Sequence, residues 1–398
     1  MAYFAFVCLF NIRFSKGLRN MKNENVIKIC ILGGGNIGTL LLADLSRNKN
    51  VITLLHTSRP ELWKKHIQVL KPTGELDFIG KVDVISNDPE ATIGQADVII
   101  STLPTNVLMD STDIIKKHIK KGAMLGFIPG SGGKEFLFKD LISSGHVVFG
   151  FQRVHAISRI SVYGESVYNL GRKDELFFGS IPSKESNKIC KIFEKILKVK
   201  CHALPNYLSV TLVPSNQILH TSRLYSMFKN YCEGKFWNKE TLFYKEWTDA
   251  DSKVLLSCDR ELQSMLLKLK NLDTSYIKSL KEHYGVENYK EMTVKISNIP
   301  AFSGIKSPMI QKEYGFIPDF NSRYFKEDFP FGLCVIRGFA EILNHKMPSV
   351  DRLLKWYEKN FFVSFYAGKN YDGESLKSLS LPQNFGIKSL KDIADFYE

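Results

Sequence analysis

The stretch Val26-Ile27-Lys28-Ile29-Cys30-Ile31-Leu32-Gly33-Gly34-Gly35-Asn36-Ile37-Gly38 decides how this chain is read. Its first seven residues form a β-branched, apolar run, the pattern of a strand buried on both faces of a parallel sheet. Glycines end the run in the spacing Gly33-x-Gly35-x-x-Gly38. The first permits a tight turn, the second lets backbone approach a pyrophosphate, and the third lets a helix pack closely on the strand. The helix expected over residues 37–48 opens there, with its unpaired N–H groups facing the same place. Strand, glycine turn and helix together predict a dinucleotide site contacted by Gly33, Gly35, Asn36, Ile37 and Gly38.

Further strands read at 51–55, 81–85, 96–102, 123–128 and 147–151, with helical spacing between some of them. Strands and helices alternating at this pitch predict a parallel sheet with right-handed crossovers. Ligands of such sheets sit beyond the carboxyl ends of the strands. Attention falls on the loops 33–38, 56–60, 103–106 and 129–133, and Leu103 and Pro104 join the cofactor-contacting set. From about Asn206 the texture changes to helical spacing over 217–231, 249–271 and 333–344. The expectation is an α/β Rossmann domain over 21–202, then a mainly α-helical catalytic domain over 203–398. Residues 1–20 read as an N-terminal extension, disordered or ahead of the true start. The apolar Tyr3–Phe10 precedes its basic residues, the reverse of a signal peptide, and is too short to span a bilayer.

Hydrophobic residues make up 44% and charged residues 24%, the balance of a folded globular protein. The formal net charge of +13 needs a partner class. No segment alternates basic with aromatic residues as a nucleic-acid groove does, so the charge is assigned to an anionic cofactor and acidic substrates. No nucleic-acid or membrane partner is expected. The seven cysteines include no C-x-x-C pair, which argues against a disulfide framework or a zinc site. Reduced thiols, a cytoplasmic location and no bound metal follow.

The end of the second strand bears on cofactor choice. An NAD site usually places Asp or Glu there for the ribose hydroxyls. Here the residues are Leu55-His56-Thr57-Ser58-Arg59. Thr57, Ser58 and Arg59 offer two hydroxyls and a guanidinium, which suit a 2′-phosphate. NADP is therefore preferred over NAD.

Two segments carry candidate chemistry. In Val213-Pro214-Ser215-Asn216-Gln217-Ile218-Leu219-His220, the Pro and Ser suit a helix start and place His220 in its second turn. An imidazole there can pass a proton as hydride moves. In the segment Arg323-Tyr324-Phe325-Lys326-Glu327-Asp328-Phe329-Pro330-Phe331-Gly332-Leu333, read as a functional loop, Asp328 can orient that imidazole. Arg323 can take a substrate carboxylate in bidentate fashion. Arg153, at the end of the sixth expected strand, is a second candidate for a carboxylate or else an interdomain ion pair.

Together these segments resemble the opine dehydrogenase family, the octopine/nopaline group. The resemblance spans roughly residues 26–345 and rests on the segments ending in His220 and Leu333. Gly150-Phe151-Gln152-Arg153-Val154, Tyr244-Lys245-Glu246-Trp247 and Cys258-Asp259-Arg260-Glu261-Leu262 further resemble its staphylopine-type, metallophore-forming branch. The resemblance implies reductive condensation of an α-keto acid with the amine of an amino acid or metallophore precursor. It implies His220 as catalytic histidine, Asp328 as its partner, and a homodimer. Pro214-Ser215-Asn216 departs from the family's usual Asn-Pro, which allows a shift in the helix entry. Two other readings stand beside it. One is a hydroxy-acid, ketopantoate or glycerol-3-phosphate type dehydrogenase relying on a lysine, with Lys229 open. The other is an NADPH-binding regulator without chemistry.

Overall fold

A computed structural model of the chain describes residues 26–398, so the expected extension over residues 1–20 lies outside the described residues. In chain order its first twelve strands are β1 (Ile27–Leu32), β2 (Val51–His56), β3 (His66–Leu70), β4 (Leu76–Lys81), β5 (Val84–Ser86) and β6 (Val98–Ser101), then β7 (Met124–Phe127), β8 (Val148–Phe151), β9 (Ala156–Val162), β10 (Ser166–Arg172), β11 (Glu175–Ile181) and β12 (Lys200–Ala203). The main sheet runs β12-β11-β8-β7-β6-β1-β2-β5. From β5 to β8 every pair is parallel. The expected parallel sheet spans these six strands, and beyond it β11 joins β8 antiparallel and carries β12 beside it.

The first helix, Asn36–Leu45, buries Leu40, Leu41, Leu42, Ala43 and Leu45. It is apolar nearly all round because it is covered twice, by the main sheet and by a second sheet of order β4-β3-β10-β9. A Cβ on Gly80 of β4 would lie 2.5 Å from the Cα of Ala43, which shows how closely that second sheet approaches. The strand expected over 81–85 is two pieces. β4 ends at Lys81 in the second sheet, β5 starts at Val84 in the main one, and Asp83 between them accepts from the Thr53 amide at 3.0 Å.

The rest of the chain is mainly helical, with one hairpin, β13 (Met309–Lys312) and β14 (Gly315–Pro318). Helix Asn216–Phe228 starts where Pro214 and Ser215 suggest, and helix Asp249–Leu266 opens on a reciprocal Thr248–Asp251 cap. The segment expected as a functional loop is helical instead. Arg323–Asp328 runs through a widened turn, Phe329–Leu333, into helix Cys334–Ile342. Pro330 and Gly332 lie in that widened turn, where i→i+5 bonding accommodates them. The final segment returns to the sheet. Ser380 Oγ donates to Gly132 O at 2.6 Å, and Tyr397 Oη on helix Leu390–Tyr397 donates to Glu135 at 2.7 Å. Among the described residues no helix is long and apolar enough to cross a membrane, and no group of three or more His, Cys, Asp or Glu could hold a metal.

Candidate active site

The glycine turn leaves β1 with Gly33 at φ +100°, a conformation that L side chains avoid. A Cβ on Gly38 would lie 2.1 Å from Gly33 O, so helix and turn close only with glycine there. A Cβ on Gly35 would meet nothing within 4 Å, so that flank of the turn is open. No acidic residue occupies the first turn of the helix, so nothing competes with an anion for its free N–H groups. Asn36 faces elsewhere: its side chain accepts from Ile160 N at 2.7 Å and ties the helix start to β9. Trp63 packs against Gly34, and its buried indole N–H has no acceptor among the described residues. This turn fits a dinucleotide's phosphates, and a nicotinamide cofactor bound there would supply the hydride.

Beyond β2, Thr57 is buried while Ser58 and Arg59 are exposed. The Arg59 guanidinium lies 5.2 Å over the Tyr163 ring and has no carboxylate partner among the described residues. His56 Nδ1 is 2.9 Å from Thr92 Oγ1, and burial holds the imidazole below its ordinary pKa. Leu103 and Pro104 sit at the end of β6, Pro104 just ahead of helix Thr105–Asp110.

His220 and Asp328 are 108 residues apart and meet in the interior. The imidazole Nδ1 lies 2.8 Å from Asp328 Oδ2, and both residues are buried. The other ring nitrogen, Nε2, lies 2.8 Å from Tyr244 Oη. With a proton on Nδ1 for the carboxylate, neutral His220 accepts at Nε2 from the phenol; protonated His220 donates there. Burial raises the Tyr244 phenol well above its ordinary range, so it stays a hydroxyl. The edge of the imidazole rests on Tyr324, centroids 4.7 Å apart. Tyr244 was quoted in the sequence only as part of a resemblance; its contact with His220 comes from folding 24 residues back.

Glu327, beside Asp328, points at the sheet. Its carboxylate accepts from Thr105 N at 2.9 Å and from Thr105 Oγ1 at 2.8 Å, at the loop after β6. Burial raises the Glu327 pKa, with Lys134 the largest opposing influence. Lys134 is itself buried, and its Nζ donates to Leu103 O at 3.1 Å and Pro129 O at 3.2 Å. One buried cation thus pins two loops at the carboxyl ends of β6 and β7. Neither Glu327 nor Lys134 was singled out from the sequence.

Arg153 is partly buried, and its Nη2 donates to Pro214 O at 3.3 Å, at the entrance to the His220 helix. Burial lowers its pKa, and of its surroundings only Tyr284 favours the charged form. The alternative of an interdomain ion pair finds no carboxylate on Arg153 among the described residues. Arg323 is exposed over Tyr324, 5.8 Å from the ring centroid, also without a carboxylate partner among the described residues.

Comparison with known proteins agrees with this layout. Residues 203–360 match the family model described as NAD/NADP octopine/nopaline dehydrogenase, alpha-helical domain, and residues 29–182 match that of ketopantoate reductase PanE/ApbA. Tauropine dehydrogenase of Arabella iricolor is 24% identical, over 92% of this chain and 100% of its own length. Among solved structures, octopine dehydrogenase with NADH and L-arginine superposes with a TM-score of 0.80 at 22% identity, covering 92% of this chain and 98% of that one. Yersinopine dehydrogenase with NADP+ bound superposes at 0.64 and 14% identity, over 93% and 99%. The sheet domain alone leaves a ketopantoate-type reading open; the helical domain that carries His220 and Asp328 matches the octopine/nopaline dehydrogenase model, and over most of its length the chain is similar to opine dehydrogenases.

Proposed function

We propose that the protein reduces an imine formed from an α-keto acid and the amine of an amino acid, drawing hydride from NADPH. The observation that carries this reading is the buried His220–Asp328 pair with Tyr244 on the outer ring nitrogen. Hydride adds more readily to an iminium than to a neutral imine, so the reaction needs a proton held near the nitrogen. His220 supplies it, and Asp328 stabilises the imidazolium before transfer and fixes its tautomer. Tyr244 Oη, 2.8 Å from His220 Nε2, can relay the proton. Arg153 and Arg323, both without carboxylate partners among the described residues, take the two substrate carboxylates. The Glu327–Thr105 bonds hold the helix bearing Asp328 against the cofactor loop.

The matches to octopine and tauropine dehydrogenases favour an amino acid over a metallophore precursor as the amine. For the cofactor, the lack of an acid at residues 57–59 and an Arg59 without a carboxylate partner among the described residues favour NADPH. The test is to follow cofactor oxidation across keto acids and amines and identify the product by mass. A secondary amine carrying both carbon skeletons is the expected product; a hydroxy acid formed without amine would overturn the reading. Arg59→Ala is expected to weaken NADPH binding while sparing NADH, and an unchanged preference would remove Arg59 from cofactor selection.

A further inference from the structure

Three segments converge around Arg153. Gln152 Nε2 donates to Ser209 O at 2.9 Å and to Tyr276 O at 3.2 Å, which brings the connection ahead of helix Leu280–Tyr284 to the end of β8. Lys173 N donates to His155 O at 2.9 Å, which brings in the β10–β11 turn. Arg153 itself reaches Pro214 at the entrance to the His220 helix. Basic charges outnumber acidic ones there. Arg153, Lys173 and Lys278 all act on His283, and with burial they push its imidazole down to about 4. Two carboxylates act on this group, Asp174 next to Lys173 in the chain and Glu282, which is held by the Ser279 cap and lies near Lys278. Tyr284 faces both Arg153 and Tyr244, so the cationic group adjoins the His220 side of the cleft. The two acids nearest the chemistry are already engaged, Asp328 by His220 and Glu327 by Thr105.

A substrate side chain bearing a guanidinium or ammonium would enter a region where three cations outnumber the two acids near them, Asp174 and Glu282. A second anion would meet three cations. Resting on the imine-reduction reading, we propose that the amine substrate is an acidic amino acid. Its α-carboxylate lies on Arg153 and its side-chain carboxylate lies against Lys173 and Lys278. Both lysines are exposed, so they can be changed without disturbing the core.

The test uses the full chain with its cofactor bound, and reads both turnover with pyruvate and calorimetric binding of L-glutamate, L-aspartate, L-arginine and L-lysine. The acidic amines are expected to exceed the basic ones by at least about tenfold in kcat/KM, and Lys173→Glu with Lys278→Glu to reverse the order. Preference of the unaltered protein for arginine or lysine overturns the proposal while leaving imine reduction standing. A ranking that the double variant does not move overturns it as well. Tight binding of glutamate that the double variant abolishes, without turnover with any keto acid, supports the subsite and overturns imine reduction instead.

Discussion

His220 and Arg223 stand nearly one turn apart on the same helix, both buried, each against a carboxylate, and they are opposite in kind. His220 has two partners, Asp328 and Tyr244, each able to give or take a proton. Arg223 keeps its charge and is saturated: it donates to Phe243 O and Glu246 O, each at 2.9 Å, and to Asp251 at 2.6 Å. The carbonyls it holds flank Tyr244. The permanent ion pair therefore fixes the segment that delivers the phenol to the titratable one. On the proposed reading, chemistry and scaffold share one helix and are separated by which partners can exchange protons.

Four changes would break or sharpen this contrast. Removing the imidazole has the largest effect: His220→Ala is expected to lower turnover by about a hundred- to ten-thousandfold, the usual worth of general acid catalysis, with cofactor affinity intact. Near-normal turnover would leave His220 a structural residue like its neighbour. Arg223→Met should act on the other axis. It strands Asp251 in the interior and is expected to cost about 3–5 kcal/mol of stability, read from the urea midpoint. A variant as stable as the parent would show that the 242–247 segment needs no tether.

Tyr244→Phe is a subtler probe, because the ring and its stack on Phe302 at 4.4 Å remain. Loss of one hydrogen bond predicts about a tenfold fall in kcat and a displaced pH profile, with little change in melting. An unchanged profile would reduce the phenol to packing. The smallest expected effect concerns Glu135, a buried acid held by the Thr211 and Tyr397 hydroxyls and in no ion pair among the described residues. Its pKa is raised from 4.5 to about 7, burial being the main cause. A folded-state pKa above the unfolded one gives stability that is complete below about pH 4.5 and lost as pH rises through 7. Glu135→Gln should therefore flatten the decline in melting temperature between pH 5 and 8 relative to the parent, and parallel curves would show that this carboxyl does not titrate there.

The sequence made local patterns legible and left their long-range partners hidden. The β1 turn, the helix entry at Pro214-Ser215 and the buried first helix each declare themselves within a dozen residues. β3 also carried a signal, with Ile67 and Val69 buried and His66 and Gln68 exposed, but its partner β10 lies about a hundred residues on. Glu327 and Asp328 show the limit most clearly. Adjacent residues on a helix point about 100° apart, so one acid faces the loop after β6 and the other faces His220. Only the packing of two domains decides which is which. Tyr244 and Lys134 escaped for the same reason: a phenol and a lysine gain meaning from what lies across from them.

The bond from Tyr397 to Glu135 joins residues 262 positions apart. At roughly 5–20 residues added per second, Glu135 emerges about 13–50 s before its partner is made. Through that interval the carboxyl beside Lys134, and the Gly132 backbone that awaits Ser380, stay open to water. Translation alone thus sets a waiting time between two loops of one sheet: the glycine turn after β1 can form early, while the loop after β7 gains its last contacts almost at the end.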